Sequence, residues 1–160
     1  YWKDQHLRWT PAEHEGIQQV HLDPSDLWMP DLALYNRVGG DVAPTWGAAP
    51  LLVKSDGTVM WFPPSYFKVP CALDLALWPR DTHNCTVSLG SWAHYGAQLD
   101  LVLMGNNSGV VMGELHQGPQ WEVVGVVGAR NTHIDLTIVF TVTRRASQHA
   151  AYINTSMMGV

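Results

Sequence analysis

The chain has 160 residues, enough for one domain with a sizeable core. With 14% charged and 46% hydrophobic residues it is neither a disordered nor a fibrous composition. The net charge is −5, and the Lys and Arg are few and scattered, only Arg144 and Arg145 being adjacent, so nothing points to a nucleic-acid partner.

In chain order, Trp2 to Trp9 reads as the end of a strand, and Thr10 to Gly16 as a polar turn. Ile17 to Leu22 alternates loosely and reads as a strand. A loop through Pro24 and Asp26 reaches Trp28-Met29-Pro30-Asp31, and Leu32 to Asn36 is a short apolar run that ends in an aromatic and a turn former. Leu51-Leu52-Val53 and Thr58 to Phe62 flank Lys54-Ser55-Asp56-Gly57, and Asp-Gly between two such runs is a hairpin signal. Phe67 to Leu77 reads as the next strand, with Leu73, Leu75 and Leu77 alternating, followed by the turn Trp78-Pro79-Arg80-Asp81. Thr86 to Trp92 reads as its partner strand. Leu99 to Met104 and Trp121 to Val127 follow as strands. In Ile134 to Arg144 the residues Leu136, Ile138, Phe140 and Val142 share one face, and Thr137, Thr141 and Thr143 the other. The total is about eight or nine short strands with no convincing helix, the pattern of an all-β sandwich.

The chain has two cysteines, Cys71 and Cys85, with thirteen residues between them. Closing such a strand-turn-strand loop as a disulfide contributes roughly 3 kcal/mol in the chain-entropy model. Asn84-Cys85-Thr86, Asn106-Asn107-Ser108 and Asn154-Thr155-Ser156 are glycosylation sequons, Asn84 and Asn106 being the candidate acceptors. Together these lean toward an oxidising, extracellular setting; two free buried thiols in a cytosolic protein is the alternative. A separation of 14 does not suit an immunoglobulin domain, whose cysteines bridge two sheets from far apart in sequence. The first residues open mid-pattern, with neither an initiator Met nor a signal peptide, so the ends read as cut. The apolar tail from Ala150 is too short for the ~20 residues that span a bilayer.

Cys71 and Cys85, enclosing Trp78-Pro79-x-Asp81 and ending in Asn84-Cys85, resemble the signature loop of the Cys-loop pentameric ligand-gated ion channels. Leu89-Gly90-Ser91-Trp92, Trp28-Met29-Pro30-Asp31 and Leu34-Tyr35-Asn36 resemble motifs of nicotinic acetylcholine receptor subunits and acetylcholine-binding proteins. Trp2-x-Asp4, Leu7-x-Trp9, Pro63-Pro64, Phe67-Lys68, Trp121-Glu122 and Arg144-Arg145 line up in the same order, so the likeness covers nearly the whole chain. It implies a twisted β-sandwich lacking its first strand, an extracellular ligand-binding domain over 1–146 and a junction to the first transmembrane helix over 147–160. It also implies a homo- or hetero-pentamer of homologous subunits at the plasma membrane, held there through the missing C-terminal part. A small cationic neurotransmitter such as acetylcholine would sit between neighbouring subunits.

The resemblance carries specific positions. Tyr35 and Trp92 match two aromatic loops of the face that holds the agonist, where electron-rich rings cage an organic cation. Leu52, Met60 and Phe62 match strand positions of the complementary face. Cys71 and Cys85 match the disulfide, and Arg144 an arginine that couples the domain to the pore, with Asp81 as its ionic neighbour. Two departures stand out. Arg130-Asn131-Thr132-His133-Ile134 leads straight into the last strand at Asp135, without the aromatic tip or vicinal cysteines that cap the agonist in α-type subunits. Arg80 stands where the family has an aromatic, and a buried charge there would need a partner.

Catalysis is not indicated. The eight histidines (His6, His14, His21, His83, His94, His116, His133 and His149) are scattered, with no H-E-x-x-H, no Cys/His ligand cluster, no G-x-S-x-G and no P-loop. They read as ordinary surface or core residues, and neither cofactor nor metal is expected. The leading expectation is a channel subunit's ligand-binding domain. The rivals are a secreted soluble binding protein, which Arg80 and Asp81-Thr82-His83 favour, and a structural subunit that binds no agonist, which the short 131–134 loop favours.

Overall fold

The computed structural model describes residues 1–39, 46–104, 109–110, 113, 115–131 and 135–145. They contain eight β-strands and two single-turn 3-10 helices, Pro11–Glu13 and Pro24–Asp26. The strands are β1 (Trp2–Arg8), β2 (Gln19–Leu22), β3 (Leu32–Leu34), β4 (Leu51–Lys54), β5 (Asp56–Met60), β6 (Thr82–Ser91), β7 (Trp121–Arg130) and β8 (Leu136–Arg144). The chain is thus all-β, as the spacing of apolar runs and turn residues leads one to expect. Every pairing is antiparallel. Among the described residues no helix is long and apolar enough to cross a membrane.

The described residues form two compact units. The first lies within Tyr1–Pro30 and Val42–Phe67 and holds a sheet ordered β1-β5-β4-β2. Leu51, Val53 and Val59 are buried at its centre, with Val53 facing Val59 across the β4–β5 ladder. Period-two alternation puts Leu51 and Val53 on one face, and Trp2, Leu7, Trp9, Val20, Leu22 and Trp61 pack on that core. The Asp-Gly hairpin forms as its sequence implies. Gly57 adopts φ +81°, and a side chain there would run into the backbone carbonyl of Asp4.

The second unit lies within Asp31–Asp41 and Lys68–Val160 and holds a sheet ordered β3-β6-β8-β7. β6 pairs with β8 from Thr82↔Thr143 to Leu89↔Leu136, and β7 pairs along β8 with a bulge between Val123 and Gly125. β3 pairs only with the end of β6, Leu32↔Ser91 to Leu34↔Leu89. Where β3 stops, the Asn36 side chain takes over the edge. Its amide nitrogen donates to the Thr86 carbonyl at 2.6 Å, and its oxygen accepts from the Ser88 amide at 3.0 Å.

Two expected strands are absent. Leu73, Leu75 and Leu77 lie on no strand and are 50%, 56% and 73% exposed. Asp74 turns the chain: its carboxylate accepts the Ala76 amide at 3.0 Å, and the amides of Trp78 and Arg80 bond back to Leu75 and Leu77. So β6 does not pair with the preceding segment; its ladder partners are β3 and β8. Leu99 to Met104 keeps an alternating exposure but joins no ladder. Cys71 and Cys85 are disulfide-bonded, tying the turn-rich arm to β6 rather than joining two paired strands.

Candidate functional site

At one end of β6 the strand delivers Trp92, which is 80% exposed. Tyr35, from the turn after β3, lies with its ring centroid 6.4 Å from that indole, the planes inclined by 59°. Tyr35 is 41% exposed, and its hydroxyl donates to the Ser91 carbonyl at 2.8 Å. Burial, with the nearby carboxylates of Asp135 and Asp31, pushes its phenol up. The ring lies against Gly90, where a side chain would overlap it. A glycine two residues before Trp92 therefore lets the tyrosine close on the strand.

Asp31 organises this corner. Its Oδ1 accepts from Ser91 Oγ at 2.6 Å and from His94 Nδ1 at 2.8 Å, and its Oδ2 accepts from the Ala93 amide at 2.6 Å. The Trp92 amide bonds to the Asp31 carbonyl at 3.4 Å, and the His94 amide to Ser91 Oγ at 2.9 Å. Residues on both sides of Trp92 are thereby anchored to one carboxylate. Burial pushes that carboxyl up, but the bonds from Ser91, the Ala93 amide and His94 more than offset it and hold it well below the usual range. Because a carboxylate only accepts, the ring proton of neutral His94 sits on Nδ1.

At the opposite end of β6 a second carboxylate is buried. Asp81 is 1% exposed and takes a bidentate contact from Arg144: Nε to Oδ1 at 2.8 Å and Nη2 to Oδ2 at 2.9 Å. The Arg144 amide also bonds to the Asp81 carbonyl at 3.1 Å. His83, buried on the same strand, places Nε2 2.6 Å from Asp81 Oδ2. The Arg144 guanidinium lies 4.2 Å from the centroid of the Trp121 ring, and the His83 imidazole meets that indole edge-on at 5.6 Å. The Arg144 hydrogen bonds, opposed by burial and aided by His83, hold the Asp81 carboxyl well below its usual range, and Asp81 raises Arg144 in turn.

The profile described as "Neurotransmitter-gated ion-channel ligand binding domain" matches residues 1–146. The chain belongs to that family. It is 36% identical over 130 residues to the mouse neuronal acetylcholine receptor subunit alpha-6, an overlap of 81% of this chain and 26% of that protein. It is 36% identical over 130 residues to the goldfish subunit alpha-3, with 81% and 25% covered. It is 35% identical over 152 residues to the human subunit alpha-4, with 89% and 24% covered. The chain thus spans about a quarter of the length of the curated relatives it matches.

Within this ligand-binding domain the structure brings Tyr35 together with Trp92, and Asp81 together with Arg144, all in the second unit. Leu52, Met60 and Phe62 belong to the first unit. Leu52 and Met60 face each other across β4–β5, and Phe62 lies just past β5, 71% exposed. Asn84 is exposed on β6, its side-chain oxygen accepting from Thr141 Oγ1 at 2.9 Å. Asn106, the loop at 132–134 and the segment 147–160 lie outside the described residues. Arg80 is exposed, so the concern over a buried charge does not arise within this chain. The sequence reading left Asp31, His83 and His94 without roles. Among the described residues, no group of three or more His, Cys, Asp or Glu is placed to hold a metal.

Proposed function

We propose that this chain is the extracellular ligand-binding domain of a nicotinic-like channel subunit, in which Tyr35 and Trp92 supply the principal aromatic face for a small cationic agonist. The observation that carries the reading is the Tyr35–Trp92 pair. The indole is largely solvent-exposed yet its backbone is anchored on both sides through Asp31, an arrangement suited to presenting a ring rather than filling a core. Leu52, Met60 and Phe62 are the complementary-face residues in this reading, contributed by a neighbouring homologous subunit of a homo- or hetero-pentamer. Asp81 and Arg144 form the contact through which agonist capture biases the pore, a two-state equilibrium shifted by tighter binding to the active state. Asn84 carries the glycan, at the plasma-membrane surface.

Radioligand binding to assembled receptors tests the reading. Trp92→Ala in this chain is expected to abolish high-affinity acetylcholine binding at interfaces whose principal side it supplies; undiminished binding refutes it. The short stretch between Arg130 and Asp135 favours a second reading, a structural subunit contributing no principal face, and the same assay separates the two. A reading frame that stops before any apolar segment of ~20 residues would instead make the protein a secreted soluble binding protein.

A further inference from the structure

We propose that His83 is a positioning residue for the Asp81–Arg144 contact, adding a further donor to the carboxylate and tying it to the disulfide-closed arm. The proposal rests on reading that contact as the coupling element.

The imidazole sits between two groups. Its Nδ1 faces the Asp74 amide at 3.4 Å, and its Nε2 faces Asp81 Oδ2 at 2.6 Å. An amide can only donate and a carboxylate can only accept, so neutral His83 carries its proton on Nε2. In that tautomer both nitrogens are used, and the ring is a connector with a direction: arm amide to imidazole to carboxylate to guanidinium. Oδ2 then receives two donors, His83 Nε2 and Arg144 Nη2, and Oδ1 receives Arg144 Nε. Without His83, Oδ2 keeps only the Arg144 Nη2 donor, and the arm amide loses its path to the carboxylate.

The neighbours make this more than packing. His83 lies two residues after Asp81, so along an extended chain both side chains point to one face, the face on which Arg144 arrives from β8. Trp121, from the start of β7, lies against both the imidazole and the guanidinium. The Asp74 carboxylate is turned to the Ala76 amide, so the arm offers His83 its backbone N–H. The arm, β6 and β7 therefore meet at one ring, and Arg144 of β8 joins them through the shared Asp81 carboxylate.

Substitution separates this role from space filling. Gln in place of His83 can accept from the Asp74 amide with its oxygen and donate to Asp81 with its nitrogen; Leu fills similar volume and does neither. In the full-length subunit, His83→Leu is expected to move the agonist midpoint for gating about tenfold, and H83Q is expected to stay near wild type. Coincidence of H83L with wild type overturns the proposal, as does H83Q behaving like H83L. A thermal-unfolding cycle of His83→Leu against Arg144→Gln needs no channel current. The two changes are expected to be strongly non-additive, and additive effects overturn the proposal. Non-additivity of the two changes in a protein whose wild-type form binds agonist but passes no current would sustain His83 and sink only the channel reading.

Discussion

Gly90→Ala is the sharpest probe of the aromatic corner. A methyl group at position 90 would overlap the Tyr35 hydroxyl and lie 2.6 Å from Tyr35 Cζ and 2.6 Å from Asp135 Oδ1. The tyrosine does not yield by a few tenths of an ångström. The phenol is rigid and bonded to the Ser91 carbonyl, and β6 is pinned to β8 on its other side. The ring must therefore swing away. Overpacking of this kind costs about 1–3 kcal/mol, and the lost hydroxyl bond adds about 1 kcal/mol. At about 2–4 °C per kcal/mol for a domain of this size, the melting temperature should fall by roughly 5–15 °C. Ligand binding should suffer separately. Removing one aromatic face from an organic cation costs about 0.5–2 kcal/mol, a two- to thirty-fold weaker Kd. Thermal unfolding and acetylcholine titration measure the two effects independently. Tyr35→Leu in the Gly90→Ala background removes the obstructing atoms, so it should recover the overpacking part of the loss in melting temperature, though not the part from the hydroxyl bond, and should not restore affinity. A Gly90→Ala protein that melts and binds like wild type would refute the assignment of Tyr35 to this position.

Trp92→Ala should leave stability within about 0.5 kcal/mol, because an indole 80% exposed contributes little to the fold, and a large drop in melting temperature would mark it as core instead. Replacing both Cys71 and Cys85 by Ser should cost about 3 kcal/mol by the chain-entropy argument for a loop of this length, read from denaturant unfolding; an unchanged midpoint would show the bridge to be dispensable. Asp31→Asn tests the acid limb. The folded carboxyl lies below its unfolded value near 3.9, so its stabilisation is complete above that value and is lost as pH falls through the lowered folded one. Melting temperature against pH should therefore fall less steeply below about pH 4 in the variant, with Asp81 still supplying part of the slope, and parallel curves would show that Asp31 carries no such linkage.

Much of the fold was legible because local and global preferences agree. Leu51, Val53 and Val59 alternate around an Asp-Gly turn, and the Leu136 to Val142 face keeps strict period two, so each segment could be assigned without its partner. Leu73, Leu75 and Leu77 show the limit. Their alternation is equally regular, but Asp74 and the following turn residues divert the backbone, and periodicity cannot report that. The aromatic pair was accessible through motif resemblance. His83 and His94 were not, because each acquires its meaning from a carboxylate that forms no metal or catalytic motif with it. His94 meets Asp31, 63 residues away, only through the β3–β6 register. For His83 a signal was present: an acid two residues earlier on an extended segment shares its face.

β6 makes the two carboxylate corners mechanically one problem. Ten residues at ~3.3 Å each separate them by roughly 30 Å, and the paired stretch on β8 runs through most of that length. Register slip is blocked, since one residue of slip would turn every side chain to the wrong face. A displacement imposed at Trp92 therefore cannot be absorbed by sliding; β6 must tilt with β8. The two ends resist tilt differently. The Asp31 corner is half-exposed, its donors coming from the four residues that carry the indole. The Asp81 corner is buried, and its donors come from β6 and β8, with Trp121 of β7 and the arm amide behind them. On the proposed function the compliant end is the one that meets the ligand, and the stiff end is the one placed to deliver the motion. His83 adds to that end a third side-chain donor on Asp81, and through it the carboxylate that Arg144 grips is tied to the disulfide-closed arm, so that a tilt of β6 and β8 is passed to the arm as well.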